Sequence, residues 1–437
     1  VRFRASEAAT ATGGVRHGPD VELDGASFDS RSTQPGQLFV PIVGDRDGHE
    51  FVADAIRAGA PAYLTARPLD PSEQLATAIE VADPARALLE LAAWARTRLS
   101  AEVVGITGSV GKTSTKDLVA AAVGAQRRVT ANERSFNNEQ GLPVTILGAP
   151  DDTEVLVLEM GMRGFGQIAE LCRIGRPTVG VVTAVGEAHT ELVGGIEGVA
   201  RAKRELVEAL PASGTAVLNA DDHRVLAMAS ATAAAVVTYG TGPDATVRLT
   251  ELVLDELARP RFTVTTPWGA AEVALAVSGR HMAMNAAAAL AVAGTLGVSI
   301  EAAAAALGTA TVSGLRMEVR RTAAGAVVLD DTYNANPTSM RAALEALAGI
   351  TASRRIAVLG EMAELEDPEA GHREIADLAR SLGIDLVAAR TSRYGVPAVD
   401  DPVMALGALG DGDAVLFKAS RFVGLDRDVA RLLDAGR

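Results

Sequence analysis

The chain has 437 residues, about three times the length of one ordinary domain, so two or three domains are expected rather than a single core. With 48% hydrophobic and 22% charged residues, 43 glycines and 18 prolines, the composition is that of a folded chain and excludes a disordered or fibrous one. A net charge of −14 argues against general affinity for nucleic acid or anionic membranes, so any anionic ligand must be held by a local cationic set.

Cys172 is the only cysteine, which leaves no intrachain disulfide and no cysteine-rich metal site, fits a reducing compartment, and suggests a small buried apolar side chain. The segment Val1-Arg2-Phe3-Arg4-Ala5-Ser6-Glu7 lacks the apolar core of a signal peptide. The most apolar later stretch, 283–298, is mostly alanine and contains Asn285. A cytoplasmic protein with no membrane insertion is therefore expected.

In chain order, the first hundred residues show short strand-like runs such as 37–42 and a helical run over 84–99, together a small α/β unit. From Val103 a cycle of apolar strand, glycine-rich turn and helix recurs, with strands expected at 103–107, 155–160, 179–185 and 215–219. Continuous apolar strands alternating with helices imply a mostly parallel sheet covered on both faces. The β-rich stretch 246–277 reads as an added antiparallel piece, followed by alanine-rich helices over 281–296 and 300–307. A third α/β unit starts near Ser313, with strands at 326–330, 355–360, 384–389 and 413–418 and helices after Pro337, over 372–382 and from Leu425. No internal repeat, coiled-coil heptad or low-complexity linker interrupts the sequence. The expected division is 1–100, 101–312 and 313–437, with ligand between the domains.

The strongest local signal is Val103-Val104-Gly105-Ile106-Thr107-Gly108-Ser109-Val110-Gly111-Lys112-Thr113-Ser114, lying between a buried strand and a helix starting at Lys112. Glycines let backbone amides approach phosphate oxygens, the helix N-terminus adds positive potential, Lys112 reaches the outer phosphates, and the Thr113 hydroxyl can ligate magnesium. The strict phosphate-loop pattern has glycine where Ile106 stands, so the loop is a variant. Glu159 ends the strand after Leu158, where an acid can face a phosphate-bound metal or simply sit at a strand end. His189 follows the next strand as a ligand or a solvent-facing loop residue. Lys203 falls amid Ile196, Val199, Ala200, Leu206, Val207 and Leu210 at helical spacing. An ammonium there must snorkel, pair with an acid, or become neutral, and a neutral amine can take up carbon dioxide to give a carbamate that serves as a carboxylate ligand. The polar clusters Ser135-Phe136-Asn137-Asn138-Glu139-Gln140-Gly141 and Asp330-Asp331-Thr332-Tyr333-Asn334-Ala335-Asn336-Pro337 are either site loops or turn and N-cap chemistry.

Taken together these motifs resemble the Mur ligase family across essentially the whole chain. The run Thr107 to Thr113 is similar to the family's ATP loop, and Glu159, His189, Asn285, Arg316 and Asp331 fall in motifs resembling those of its shared catalytic residues. Within the family the clusters at 135–143, 159–161 and 330–337 and the run Lys418-Ala419-Ser420-Arg421 are similar to the member that adds D-alanyl-D-alanine to a UDP-N-acetylmuramoyl tripeptide. The resemblance implies an N-terminal UDP-binding domain carrying Asp29-Ser30-Arg31 and the loop Gly44-Asp45-Arg46-Asp47-Gly48-His49, a central phosphate-loop domain for ATP and magnesium, and a C-terminal Rossmann-like domain, all α/β. It implies that Asn285 approaches adenine, Arg316 the phosphates and Asp331 the ribose. It assigns the metal to Thr113, Glu159, His189 and a carbamate on Lys203. Asn137, Asn138, Asn334, Asn336, Lys418 and Arg421 are expected at the substrates, and a monomer is expected. Met282 in place of asparagine, Ala419 in place of glycine, and the lead Glu133-Arg134-Ser135 depart from the pattern. A related ligase for another muramyl peptide or a specialised metabolite, or a phosphate-loop switch ATPase, are the competing readings.

Overall fold

The computed structural model describes residues 1–69, 76–133, 136–186, 190–363, 365 and 367–434. They form two compact units, one of 1–105, 127–162 and 166–179, the other of 106–126, 163–165 and 180–437.

In the first unit a five-stranded sheet runs in the order Val15–His17, Thr77–Glu80, Ala62–Thr65, Leu38–Phe39 and Ala26–Ser27. Only the pair at Val15–His17 is antiparallel. Phe39, Val52, Ala55 and Tyr63 form its buried core. The strand expected over 37–42 shortens to Leu38–Phe39, since Pro41 has no N–H to continue a ladder. The helix Pro84–Arg96 starts where Asp83 accepts from the Ala85 and Arg86 amides, with proline at its first position. Leu88, Leu91, Ala92 and Ala95 recur at i, i+3, i+4 and i+7 and bury one face. Strands Val129–Ala131 and Val155–Glu159 pair in parallel in the same unit. Cys172 is buried in the helix Gln167–Gly175 with Sγ 3.6 Å from Met160 Sδ, as its reading as a small apolar residue requires.

The second unit carries the helix Lys112–Gly124 and the parallel strands Thr215–Asn219, Ala235–Gly240 and Val247–Leu254. Strands Pro260–Thr266 and Gly269–Ala274 add antiparallel, as the pattern over 246–277 suggests. The helix His281–Thr295 is buried almost all round, and its run of alanines lets it lie closely against the helix Lys112–Gly124. A six-stranded sheet follows in the order Glu318–Arg321, Val327–Asp331, Asp413–Lys418, Arg354–Leu359, Asp385–Ala389 and Ala398–Val399, parallel except for its first pair. The edge strand Glu318–Arg321 is polar and partly exposed, which is why hydrophobic patterning did not announce it. The fold is mixed α/β with parallel-rich sheets. Among the described residues no helix is long and apolar enough to cross a membrane.

Candidate active site

The phosphate loop depends on two glycines in backbone conformations that side chains rarely adopt, Gly108 at φ +153° and Gly111 at φ +80°. A Cβ on Gly108 would lie 1.8 Å from Thr183 Oγ1, and one on Gly111 would lie 2.8 Å from Asn285 Oδ1. Ile106, which stands in place of the usual glycine, is fully buried in the strand Glu102–Thr107, whose last residue Thr107 is buried as well. The loop is held by cross-bonds. Ser109 Oγ donates to the Gly186 carbonyl at 3.0 Å and accepts the Gly186 amide at 2.9 Å, while Thr183 Oγ1 donates to the Val110 carbonyl at 2.6 Å. Lys112 curls back so that Nζ donates to the Gly108 carbonyl at 2.7 Å, which lays its charge across the cradle. Thr113 and Ser114 are buried in the first turn of the helix.

Asn285 sits against Gly111 rather than apart from the loop, and its Nδ2 lies 3.5 Å from the Sδ of Met282, the residue that departs from the family pattern. Lys203 is on the buried face of the helix Ile196–Glu208, with its side chain 2% exposed, so it does not snorkel to solvent. Burial foremost, and then the nearby charge of Lys112, hold its amine well below the usual lysine range and favour the neutral form.

Within the first unit Glu159 is 1% exposed at its strand end, which excludes a surface carboxylate. Asn137 Nδ2 donates to its Oε1 at 2.7 Å. Asn138 Oδ1 accepts the amides of Gln140 and Gly141, the turn chemistry that was the alternative reading of this cluster. Phe28, next to Asp29, tilts against Phe136 with ring centroids 5.9 Å apart, so the 29–31 loop and the 136–138 segment are neighbours. Arg31 pairs with Asp29 at 2.6 Å and is exposed, while Ser30 is half-buried. The Arg31 guanidinium holds the Asp29 carboxyl below its usual range. Asp47 accepts the amide and Nδ1 of His49, whose Nε2 accepts the Ala66 amide, so this loop is a braced turn.

At the C-terminal sheet Arg316 stacks over Tyr333 at 4.1 Å, between Leu315 and Met317, both in the left-handed region at φ +64° and +52°. Asp331 ends its strand beside Lys418, the register partner on the next strand. Lys418 is buried and bonded to Asp331 and to the Asn334 carbonyl. Asn334 itself is exposed. Asn336 caps the helix Pro337–Gly349 in a reciprocal box with Ser339. Arg421 is exposed and pairs with Asp426 at 3.1 Å. Ala419, where the pattern has glycine, is buried, and a Cβ on Gly360 would meet its methyl at 2.7 Å.

The expected metal residues Thr113 and Lys203 lie in one unit and Glu159 in the other, while His189 and Arg134-Ser135 lie outside the described residues. Among the described residues no group of three His, Cys, Asp or Glu side chains could hold a metal. Two positions escaped sequence reading. Asn132 Oδ1 accepts the Glu159 amide at 2.6 Å, and His281, whose charged form burial disfavours, opens the helix that carries Asn285. The four-residue spacing of His281 and Asn285 was a usable signal, because it places both on one helical face.

Comparison with known proteins decides the family. Residues 106–293 match the Mur ligase middle domain and residues 315–421 match the Mur ligase glutamate ligase domain. The chain is 45% identical to the UDP-N-acetylmuramoyl-tripeptide--D-alanyl-D-alanine ligase of Mycobacterium tuberculosis, over 89% of this chain and 81% of that protein. The chain belongs to the Mur ligase family. A Bacillus subtilis relative of the same name is 34% identical, with 94% of each chain covered. The crystal structure of MurF from Acinetobacter baumannii superimposes with a TM-score of 0.86 at 29% identity over 99% of both chains. MurF ligase from Thermotoga maritima in complex with ADP does so with a TM-score of 0.82 at 29% identity, over 94% of this chain and 97% of that one.

Proposed function

We propose that this Mur ligase family member is an ATP-dependent amide ligase that joins D-alanyl-D-alanine to a UDP-N-acetylmuramoyl tripeptide, giving the UDP-muramyl pentapeptide precursor of peptidoglycan. The observation that carries the reading is the phosphate cradle from Gly108 to Lys112 in a chain 45% identical to a curated ligase of that name. The substrate carboxylate oxygen attacks the γ-phosphorus of ATP and ADP leaves, giving an acyl phosphate. The dipeptide amine then attacks the acyl carbon, phosphate leaves, and the nitrogen gives up a proton. Lys112 and Arg316 offset the charge of the transferring phosphoryl group, and the loop amides orient it. Exclusion of water protects the acyl phosphate from hydrolysis.

Three domains, 1–100, 101–312 and 313–437, divide the work between the UDP end, ATP and the incoming amine. Ser30, Arg31, Asn137 and Asn138 line the muramyl-peptide side and Asn334, Asn336 and Arg421 the amine side, while Asn285 and Asp331 hold the nucleoside of ATP. The Thr113 hydroxyl and Glu159 carboxylate are hard oxygen donors suited to magnesium, and His189 and Lys203 complete the proposed set. Magnesium supplies neutralisation of phosphate charge. The buried, neutral-leaning amine of Lys203 fits a carbamate, formed when the nitrogen bonds to the carbon of CO2 and loses a proton. The reaction is placed in the cytoplasm and the protein acts as a monomer.

Phosphate release measured with and without each substrate tests the reading. Turnover is expected only with ATP, UDP-muramyl tripeptide and D-alanyl-D-alanine together. Robust ATP hydrolysis by the protein alone would favour a switch ATPase and overturn it.

A further inference from the structure

We propose that Lys418 is a positioning residue for ATP, acting through Asp331 and touching neither the dipeptide nor the nucleotide. The inference rests on the ligase reading above and changes the role expected of this lysine.

Strands Val327–Asp331 and Asp413–Lys418 are parallel neighbours, and their last residues are register partners. Lys418 Nζ meets Asp331 Oδ2 at 2.6 Å and the Asn334 carbonyl at 2.8 Å, with side chains only 2% and 14% exposed. A buried ammonium is costly unless acceptors surround it, and truncating one partner strands the other charge. The second carboxylate oxygen of Asp331, Oδ1, accepts the Met317 amide at 3.3 Å. One ammonium therefore ties together the strand end, the Asn334 turn and, through the carboxylate, the loop of Arg316. That loop needs such a tie, because Leu315 and Met317 both hold left-handed conformations that cost energy for residues with a Cβ. Tyr333 adds to it by donating its amide to the Leu315 carbonyl at 3.2 Å and placing its ring under Arg316. Without the Lys418 charge, Asp331 is free to turn and the Arg316 loop to relax, so the loss should fall on nucleotide binding.

Calorimetric titration of the full chain with ADP, alongside steady-state kinetics, separates the possibilities. Lys418→Met is expected to weaken ADP tenfold or more and to raise the KM for ATP, with the KM for D-alanyl-D-alanine changed less than twofold. Asp331→Asn should weaken ADP similarly, and the double variant Asp331→Asn with Lys418→Met should be no weaker than Asp331→Asn alone. The double variant leaves no lone buried charge, so it reports even where Lys418→Met alone folds poorly. Effects that multiply in the double variant, or a rise confined to the KM for the dipeptide, would overturn the proposal. Absence of ligation by the wild type would count against the ligase reading alone, because the ADP series is read without turnover.

Discussion

The Glu159 carboxylate is fixed by Asn137, whose Nδ2 donates to Oε1 at 2.7 Å, while the backbone of Glu159 is fixed by Asn132. Both asparagines come from one short segment, so the sequence around 132–137 acts as a bracket for a buried acid at a strand end. Replacing Asn137 by alanine removes one hydrogen bond to a charged acceptor and should cost about 1.5 to 3 kcal/mol of transition-state stabilisation. Asn137→Asp should be worse, since a second carboxylate in hydrogen-bond contact with the first forces one of them to hold a proton. Steady-state kinetics would show kcat falling in both. A rise in the KM for the UDP substrate at unchanged kcat would instead make Asn137 a substrate contact.

Lys112 lies across the phosphate cradle, bonded to the Gly108 carbonyl. With the role proposed for it at the ATP phosphates, Lys112→Ala should lose about 3 kcal/mol or more, roughly a hundredfold in rate. Near-normal product formation in a coupled phosphate assay would show that the loop performs another task.

The elements most legible in the sequence were those whose pattern is set by burial. The strands Thr215–Asn219 and Asp413–Lys418 and the helix Ile300–Leu307 were readable to the residue, because continuous apolar runs bounded by glycine or polar turns have few other interpretations. The strand starting at Val179 stops at Val182 rather than reaching Val185, since the following backbone and side chains bond across to Val110 and Asp222 instead of a ladder. Such long-range polar contacts leave no periodicity. Lys203 was legible as an anomaly on an apolar face, whereas the partners of Lys418 were not, because Asp331 is 87 residues away and only the sheet register joins them. Asn336 shows the reverse case, in which a candidate site residue is also a helix cap.

Stability should fall in mild acid through His372. Its Nε2 accepts the Met362 amide at 3.0 Å, its Nδ1 donates to the Pro368 carbonyl, and its ring meets Tyr394 edge-on at 4.9 Å. Burial holds its pKa below the ordinary histidine value, and a protonated ring would have to surrender the Met362 bond. The unfolded chain then binds a proton more readily than the folded one. The histidine's contribution is full above the unfolded value near 6.5 and is lost as pH falls below it towards the lower folded value. Urea midpoints between pH 7.5 and 5.5 should show this decline. His281 is shifted in the same direction, so His372→Asn should flatten the slope only in part. An unchanged slope would mean that His372 binds its proton equally readily in the folded and unfolded chain.

Lys203 allows the sharpest test of the metal assignment. Its side chain is 2% exposed among Val199, Leu206 and Val207, and its amine is held well below the usual range. A neutral amine is the form that captures carbon dioxide, and the proposed carbamate would place a carboxylate where the sequence encodes a base. Lys203→Ala should lose most activity, and acetate should restore part of it by occupying the emptied anionic position. Lys203→Arg should stay inactive, because arginine keeps charge and approximate length but stays protonated and carries no carbamate. Mass and activity measured together across the three proteins, with acetate titrated against chloride as the control anion, separate rescue from a salt effect. A fully active arginine variant would show that position 203 serves as an ordinary cation, and the magnesium set would then have to be drawn without it.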